Sequence, residues 1–201
     1  MIKVINAGCG NINSVIKIIL SLNSNCLLAQ NDKDLQGANK IILPGVGSFN
    51  SGMRNLENNK LSSKLKDLSK DKSVKILGIC LGMQLLCKSS EEGELPGLGL
   101  VDAEVKRFVP SAKFKIPHMV WNTVRSLNPN DLLPDNGVER RFYFVHSYFV
   151  KPSNPSIVAG TTQYGTEFCA AFQQENIFGV QFHPEKSHRF GKELMRRFLD
   201  L

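Results

Sequence analysis

The sequence predicts an α/β domain: a mostly parallel, doubly wound sheet flanked by helices, with antiparallel strands added in the second half. Three observations carry this. From Met1 to Leu86, short apolar runs alternate with segments of helical period. Two of those runs end in glycine-bearing breaks, Leu43-Pro44-Gly45-Val46-Gly47 and Ile79-Cys80-Leu81-Gly82. From Leu98 onward, strand-like runs follow one another with only turn residues between them. Strands alternating with helices imply parallel crossovers, and consecutive strands imply antiparallel pairing. At 201 residues the chain suits a single domain over 1–201, able to bury roughly 70% of its surface.

The elements follow in order. Ile2–Asn6 reads as a first strand, followed by Gly8-Cys9-Gly10-Asn11. Val15, Ile18, Ile19 and Leu22 repeat at helical spacing and predict a helix over Ser14–Leu22. Cys26–Ala29 is a second strand and Lys40–Leu43 a third, stopped by Pro44-Gly45-Val46-Gly47. Lys60–Asp71 is a lysine-rich helix, and Val74–Ile79 a fourth strand that enters a tight turn and a helix after Gly82. In the second half, Leu100–Val109, Val120–Leu127, Phe142–Val150, Ser156–Thr162, Phe168–Gln173 and Ile177–Gln181 are strand-like. Leu194, Met195 and Phe198 mark a last helix over Gly191–Leu199. There is no internal repeat, low-complexity tract or long linker.

Composition excludes several classes. Apolar residues make up 42% and charged residues 21%, as in ordinary globular domains. No run approaches the ~20 apolar residues of a membrane helix, and the opening Met1-Ile2-Lys3-Val4-Ile5-Asn6 lacks a signal peptide's plan. The five cysteines are odd in number and widely spaced. Free thiols in a reducing, cytoplasmic setting are therefore expected. No cysteine pair has the short C-x-x-C spacing of a metal site, so no metal is expected. The net charge of +7 raises the question of nucleic acid. The lysines at 60, 64, 66, 70, 72 and 75 have no interleaved aromatics to stack bases, so they read as a solvated helix face. A basic patch for a phosphate-bearing or acidic partner remains open.

The chemistry concentrates at Gly78-Ile79-Cys80-Leu81-Gly82. Two glycines flank the cysteine symmetrically, as in the G-x-S-x-G nucleophile elbow with sulfur in place of the hydroxyl. That turn strains the nucleophile's backbone and needs small neighbours so that strand and helix pack closely. A cysteine used as a small hydrophobe at the end of a buried strand fits the same residues. A nucleophilic cysteine needs a histidine base, and the base needs an orienting acceptor. Of His118, His146, His183 and His188, only His183 ends a strand-like run that then breaks, Val180-Gln181-Phe182-His183-Pro184-Glu185. Pro184 stops the ladder and lets Glu185 turn back toward the imidazole. A simple turn with a surface carboxylate would also fit. Ligands gather beyond the carboxyl ends of parallel strands, and both signals lie there.

The order Cys80…His183-x-Glu185 with a Pro-Gly loop upstream resembles the class I, triad-type glutamine amidotransferases. Pro117-His118-Met119, Trp121-Asn122 and Phe142-Tyr143-Phe144-Val145-His146-Ser147-Tyr148 are similar, more narrowly, to the glutaminase subunits of imidazole glycerol phosphate synthase. The likeness extends over nearly the whole chain. It implies hydrolysis of the glutamine side-chain amide by Cys80, His183 and Glu185, with no cofactor. The oxyanion would be met by the N–H of Leu81, supplied by the elbow. By resemblance, a second donor comes from Val46, whose peptide with Gly45 must turn inward, although a plain strand-ending turn would use the same residues. Gln84 lies one helical turn after Cys80, on the same face. Resemblance also implies that Gly47, Ser147 and Tyr148 contact glutamine through the main chain, and that Glu92 accepts its ammonium. Without the family, Glu92 reads as a solvated charge.

Free ammonia would protonate in water, and the chain has no nucleotide-binding signature for an acceptor. Resemblance implies a heterodimer with a (β/α)8-barrel cyclase subunit and no role for nucleic acid or membrane. Asn11, His118, Trp121, Tyr143 and Lys186 match interface or tunnel positions. Trp121 is the only tryptophan, and a core tryptophan would fit equally well. One departure stands out: Val120 occupies a position where the family has glycine. A β-branched residue resists positive φ and adds bulk. A paralogous glutaminase feeding another synthase, such as a surface-sugar amidination enzyme, therefore stays open.

Overall fold

The computed structural model describes residues 1–6, 12–110 and 114–201. The strands of its first part are β1 (Ile2–Ile5), β2 (Cys26–Ala29), β3 (Lys40–Gly45) and β4 (Lys75–Cys80). The helices are α1 (Ile12–Leu20), α2 (Phe49–Asn58), α3 (Leu61–Ser69), α4 (Leu81–Leu85) and α5 (His188–Asp200). The remaining strands are β5 (Ser89–Ser90), β6 (Ala103–Arg107), β7 (His118–Ser126), β8 (Arg140–His146), β9 (Tyr148–Pro152), β10 (Val158–Tyr164), β11 (Thr166–Gln174) and β12 (Ile177–Val180).

The sheet runs β2-β1-β3-β4-β12-β11-β10-β7-β8, with β5, β6 and β9 attached beside β11. From β2 to β12 all neighbours are parallel, and beyond β12 the main path is antiparallel. Alternation along each parallel strand divides the core in two. Val4, Ile42, Leu77 and Ile79 face Val15, Ile18 and Ile19 of α1 and Leu194, Met195 and Phe198 of α5. Ile5, Ile41, Leu43 and Ile76 face Phe49, Met53 and Leu56 of α2 and Leu61 and Leu65 of α3. This is the doubly wound arrangement, with the central strands β3 and β4 buried on both sides and β2 exposed at the edge.

Several boundaries differ from the sequence expectation. The structure adds α2, whose apolar face of Phe49, Met53 and Leu56 is diluted by asparagine, serine and glycine. Its start is held by Ser48, whose side chain accepts from the Ser51 N–H at 3.4 Å. The run Phe142–Val150 divides into β8, paired with β7, and β9, paired with β6, so one apolar stretch serves two ladders. Only Ala103–Arg107 of the predicted Leu100–Val109 is strand. The helix after the elbow begins at Leu81, ahead of Gly82. Gly8–Asn11 lie outside the described residues.

Register places the site. Gly45 of β3 pairs with Cys80 of β4, and Ile79 pairs with Val180 of β12. Three parallel strands therefore end together, and the residues just past them share one carboxyl edge.

Candidate active site

Cys80 ends β4 and opens α4 at φ 54° and ψ −110°, outside the regions an L-residue ordinarily occupies. The flanking glycines make this turn possible. A Cβ on Gly82 would lie 1.7 Å from the Leu43 carbonyl oxygen, and one on Gly78 would lie 2.7 Å from the Gly82 carbonyl. Strand β3, strand β4 and helix α4 meet at distances that exclude even a methyl group. The cysteine is buried but opens onto a pocket of about 370 Å³. Val46, Gly47, Leu81, Gln84, Glu92, Pro117, Val145, His146, Ser147 and Tyr148 line that pocket with it.

His183 follows β12 and is anchored by its own N–H, which donates to the Tyr143 carbonyl at 2.9 Å. Its Nδ1 meets Glu185 Oε1 at 2.7 Å, and the two side chains are only 2% and 5% exposed. Nε2 is buried with no hydrogen-bond partner, as is Glu185 Oε2. An unpaired buried ring nitrogen is a costly feature outside a reactive site. Burial, the largest single influence, opposes the charged ring, but Cys80 and Glu185 together outweigh it and raise His183 to about 10. The imidazolium is thus favoured at neutral pH. Two other thiols contrast with this. Cys87 is fully buried in the bend just after α4, where burial pushes it far up, and Cys169 is pushed up to about 12 for the same reason.

The remaining predicted residues separate into groups. Leu81 is the first residue of α4, so its N–H has no intrahelical acceptor and adjoins Cys80. Gly45 packs on it, since a Cβ there would lie 3.0 Å from Leu81 Cβ, and Gly47 has φ +106°. Glu92 lines the pocket with one oxygen already engaged, Oε2 accepting from the Phe49 N–H at 2.9 Å at the start of α2. The Ser147 carbonyl accepts from Phe108 N–H. The Tyr148 carbonyl accepts from Gln84 Nε2 at 3.2 Å and from His146 Nδ1 at 2.7 Å.

Outside the pocket, Trp121 is 38% exposed and stacks on His188 with ring planes 2° apart. Tyr143 faces Trp121 edge-on, and Lys186 Nζ lies 5.7 Å from the Tyr143 ring centre. These three form one exposed patch with Met119. Two expectations need correction. His118 is fully buried, because it pairs with His146 on the inner side of the β7–β8 hairpin and stacks on Tyr164. Val120 lies inside β7 opposite Phe144, in extended backbone, so its β-branch meets no positive φ. Asn11 lies outside the described residues. Sequence reasoning missed Gln181, whose side chain reaches both Gln84 and Cys80. Its signal was a lone amide two residues before His183, on the same face of an otherwise apolar run.

The family model for glutamine amidotransferase class I matches residues 3–201. The chain belongs to the class I glutamine amidotransferases. This amidotransferase is 46% identical over 200 residues to a Methanococcus maripaludis protein named imidazole glycerol phosphate synthase subunit HisH 2, covering 99% of this chain and 98% of that one. It is 41% identical to a Pseudomonas aeruginosa protein of the same name, over the whole of both chains. Among solved structures, a glutamine amidotransferase superposes with a TM-score of 0.77 at 18% identity, over 99% of this chain and 97% of that one. Thermotoga maritima PurLQS gives 0.76 at 18% over the same shares. At that identity the structures speak for the fold. Among the described residues, no helix is long and apolar enough to cross a membrane.

Proposed function

We propose that this chain is the glutaminase subunit of an imidazole glycerol phosphate synthase. It hydrolyses glutamine to glutamate and ammonia, and it passes the ammonia to a (β/α)8-barrel cyclase partner in histidine biosynthesis, inside the cytoplasm. The observation that carries the chemistry is a strained Cys80 lining a pocket, beside a buried His183–Glu185 pair.

On this reading the steps are as follows. Cys80 Sγ attacks the carboxamide carbon, and the carbonyl oxygen becomes an oxyanion at the N–H of Leu81, with the Val46 N–H as second donor. His183 Nε2 gives its proton to the departing nitrogen as the C–N bond breaks, leaving a thioester and ammonia. Water then attacks the thioester, His183 takes the water's proton, and the C–S bond breaks to release glutamate and restore the Cys80 thiolate. Glu185 holds Nδ1 throughout and supports the charged ring. Glu92 and the Gly47, Ser147 and Tyr148 main chain select glutamine, with Gln84 behind them.

The patch of Met119, Trp121, Tyr143 and Lys186 supports a docking surface for the partner, being aromatic and apolar with a basic edge. It adjoins the pocket through Val145, which lines the pocket two residues beyond Tyr143 on β8. Asn11, which lies outside the described residues, is proposed as a partner contact by resemblance alone. A second reading, a paralogue serving another amination, draws on Val120, which is 40% exposed on β7 and adds bulk beside this patch.

Control rests on the Gly45–Val46 peptide. If the partner's nucleotide substrate turns its N–H inward, one oxyanion donor is gained, worth on the order of 10²–10³ in rate. Glutamate release should be slow for the chain alone and rise by about that factor with cyclase plus nucleotide. Equal rates alone, with cyclase, and with cyclase plus nucleotide would refute the coupling. Glutaminase stimulation by a sugar-amidating synthase instead would favour the second reading.

A further inference from the structure

We propose that Gln181 is a positioning residue for the nucleophile, directing a side-chain N–H at the Cys80 sulfur from an orientation locked by a hydrogen-bond chain that starts on β7. The proposal rests on Cys80 being the nucleophile. The chain can be followed one hydrogen at a time. The Tyr148 carbonyl can only accept, so His146 Nδ1, 2.7 Å away, carries a proton and donates it. His146 Nε2 must then accept from His118 Nδ1 at 2.9 Å. His118 Nε2 in turn faces Asn122 Nδ2 at 3.3 Å, a donor. Both imidazoles are neutral in this scheme. Burial favours that state, pushing His118 down to about 4 and His146 to about 3.

From the same carbonyl the chain continues toward the thiol. Gln84 Nε2 donates to Tyr148 O at 3.2 Å and to Gln181 Oε1 at 3.0 Å, which uses both of its hydrogens. A flipped Gln84 would set its oxygen against the carbonyl. With Gln181 Oε1 committed to Gln84, its NH₂ can only face the other way, and it lies 3.8 Å from Cys80 Sγ. Gln181 is fully buried and Gln84 nearly so, leaving no water to replace either bond. On another side of the sulfur, the Val145 carbonyl lies 3.9 Å away. A thiol can donate to that carbonyl. A thiolate cannot, and for the charged form the Gln181 N–H is a compensating donor alongside the charged His183 ring, which Cys80 also faces.

The test is the pH dependence of Cys80 alkylation by iodoacetamide, located by peptide mass spectrometry. In Gln181→Met, of similar shape but without the donor, the rising limb should move up by about one pH unit, roughly tenfold slower at fixed pH, as expected when an anion loses one hydrogen bond. Gln181→Glu places oxygen against the sulfur and should move it further. His118→Leu, which frees the far end of the chain, should move it in the same direction by less. A residue with a merely structural role would lower melting temperature without moving the profile. If either variant fails to fold, the side-chain NH₂ resonances of Gln181 in the unaltered protein decide. They should shift as Cys80 titrates and again when it is alkylated. Alkylation profiles that superimpose, or resonances that do not respond, would overturn the proposal. Absence of any Cys80 labelling would instead overturn the nucleophile assignment.

Discussion

Replacing Gly82 with alanine tests whether the elbow's packing is what shapes the site. The added Cβ would sit 1.7 Å from the Leu43 carbonyl oxygen and 2.8 Å from the carbonyl carbon. A tolerated C···O contact is about 3.3–3.6 Å, so helix α4 and strand β3 must part by roughly 1.6 Å or more. Both contacting atoms are backbone, and no rotamer change relieves them. Overpacking of this kind costs about 1–3 kcal/mol or more, which for a chain of this size lowers the melting temperature by about 2–12 °C. The shift falls on Leu81, whose N–H is the proposed oxyanion donor beside Cys80. A misplacement near 1 Å costs on the order of 10² in rate. Differential scanning calorimetry and glutamate release with the cyclase bound measure the two effects together. Gly37→Ala is the control, since Gly37 has φ +69° and an added Cβ there would meet nothing within 4 Å. It should cost about 1–2 kcal/mol of backbone strain and leave turnover alone. If Gly82→Ala melts with the parent protein or keeps full turnover, the close approach of α4 to β3 is not what the elbow requires.

Two further perturbations address the triad. An electrophilic glutamine analogue should label Cys80 while sparing Cys87 and Cys169, which are buried and held as thiols by burial, and Cys80→Ala should abolish both labelling and glutamine hydrolysis while the cyclase still turns over with added ammonium; mass mapping to Cys87 or Cys169 would contradict the elbow. Glu185→Gln removes the carboxylate 2.7 Å from His183 Nδ1 and should lower glutaminase kcat by about 10²–10⁴, by analogy with orienting carboxylates elsewhere. It also carries a pH signature. His183 is raised in the folded state to about 10 against an ordinary 6.5, so its stabilising contribution is fully present below 6.5 and lost as pH rises through 10. The parent's stability advantage over Glu185→Gln should therefore be largest below about pH 6.5, fall between 6.5 and 10 and vanish above pH 10 in denaturant titrations; an advantage that grows with pH across that range would refute the assignment.

The parts of this protein that were legible in the sequence are those where a local rule has no competitor. Gly78 and Gly82 are needed because a Cβ would strike backbone, and that requirement shows as spacing alone. The central parallel strands β3 and β4 are buried on both faces and appear as near-continuous apolar runs. Pro44 and Pro184 punctuate two of the strand ends at which the pocket is built. What stayed hidden depends on partners distant in the chain. Helix α2 begins where the carboxylate of Glu92, 43 residues away, accepts the Phe49 N–H, and no window around Phe49 contains that contact. The division of Phe142–Val150 at Ser147 follows from two ladders claiming adjacent residues, β7 on one side and β6 on the other. By resemblance His118 matches an interface or tunnel position, ahead of the strand expected over Val120–Leu127, and only the pairing His118↔His146 shows it turned inward to a hydrogen-bonded partner. The same holds for Gln181, an amide in an apolar run that sequence logic treats as a blemish. Its burial is tolerated because Gln84 hydrogen-bonds it on one side and the nucleophilic sulfur lies on the other. Buried polar residues that interrupt strong apolar patterns near a strand's carboxyl end are thus where tertiary structure adds most to a site already outlined by its glycines and prolines.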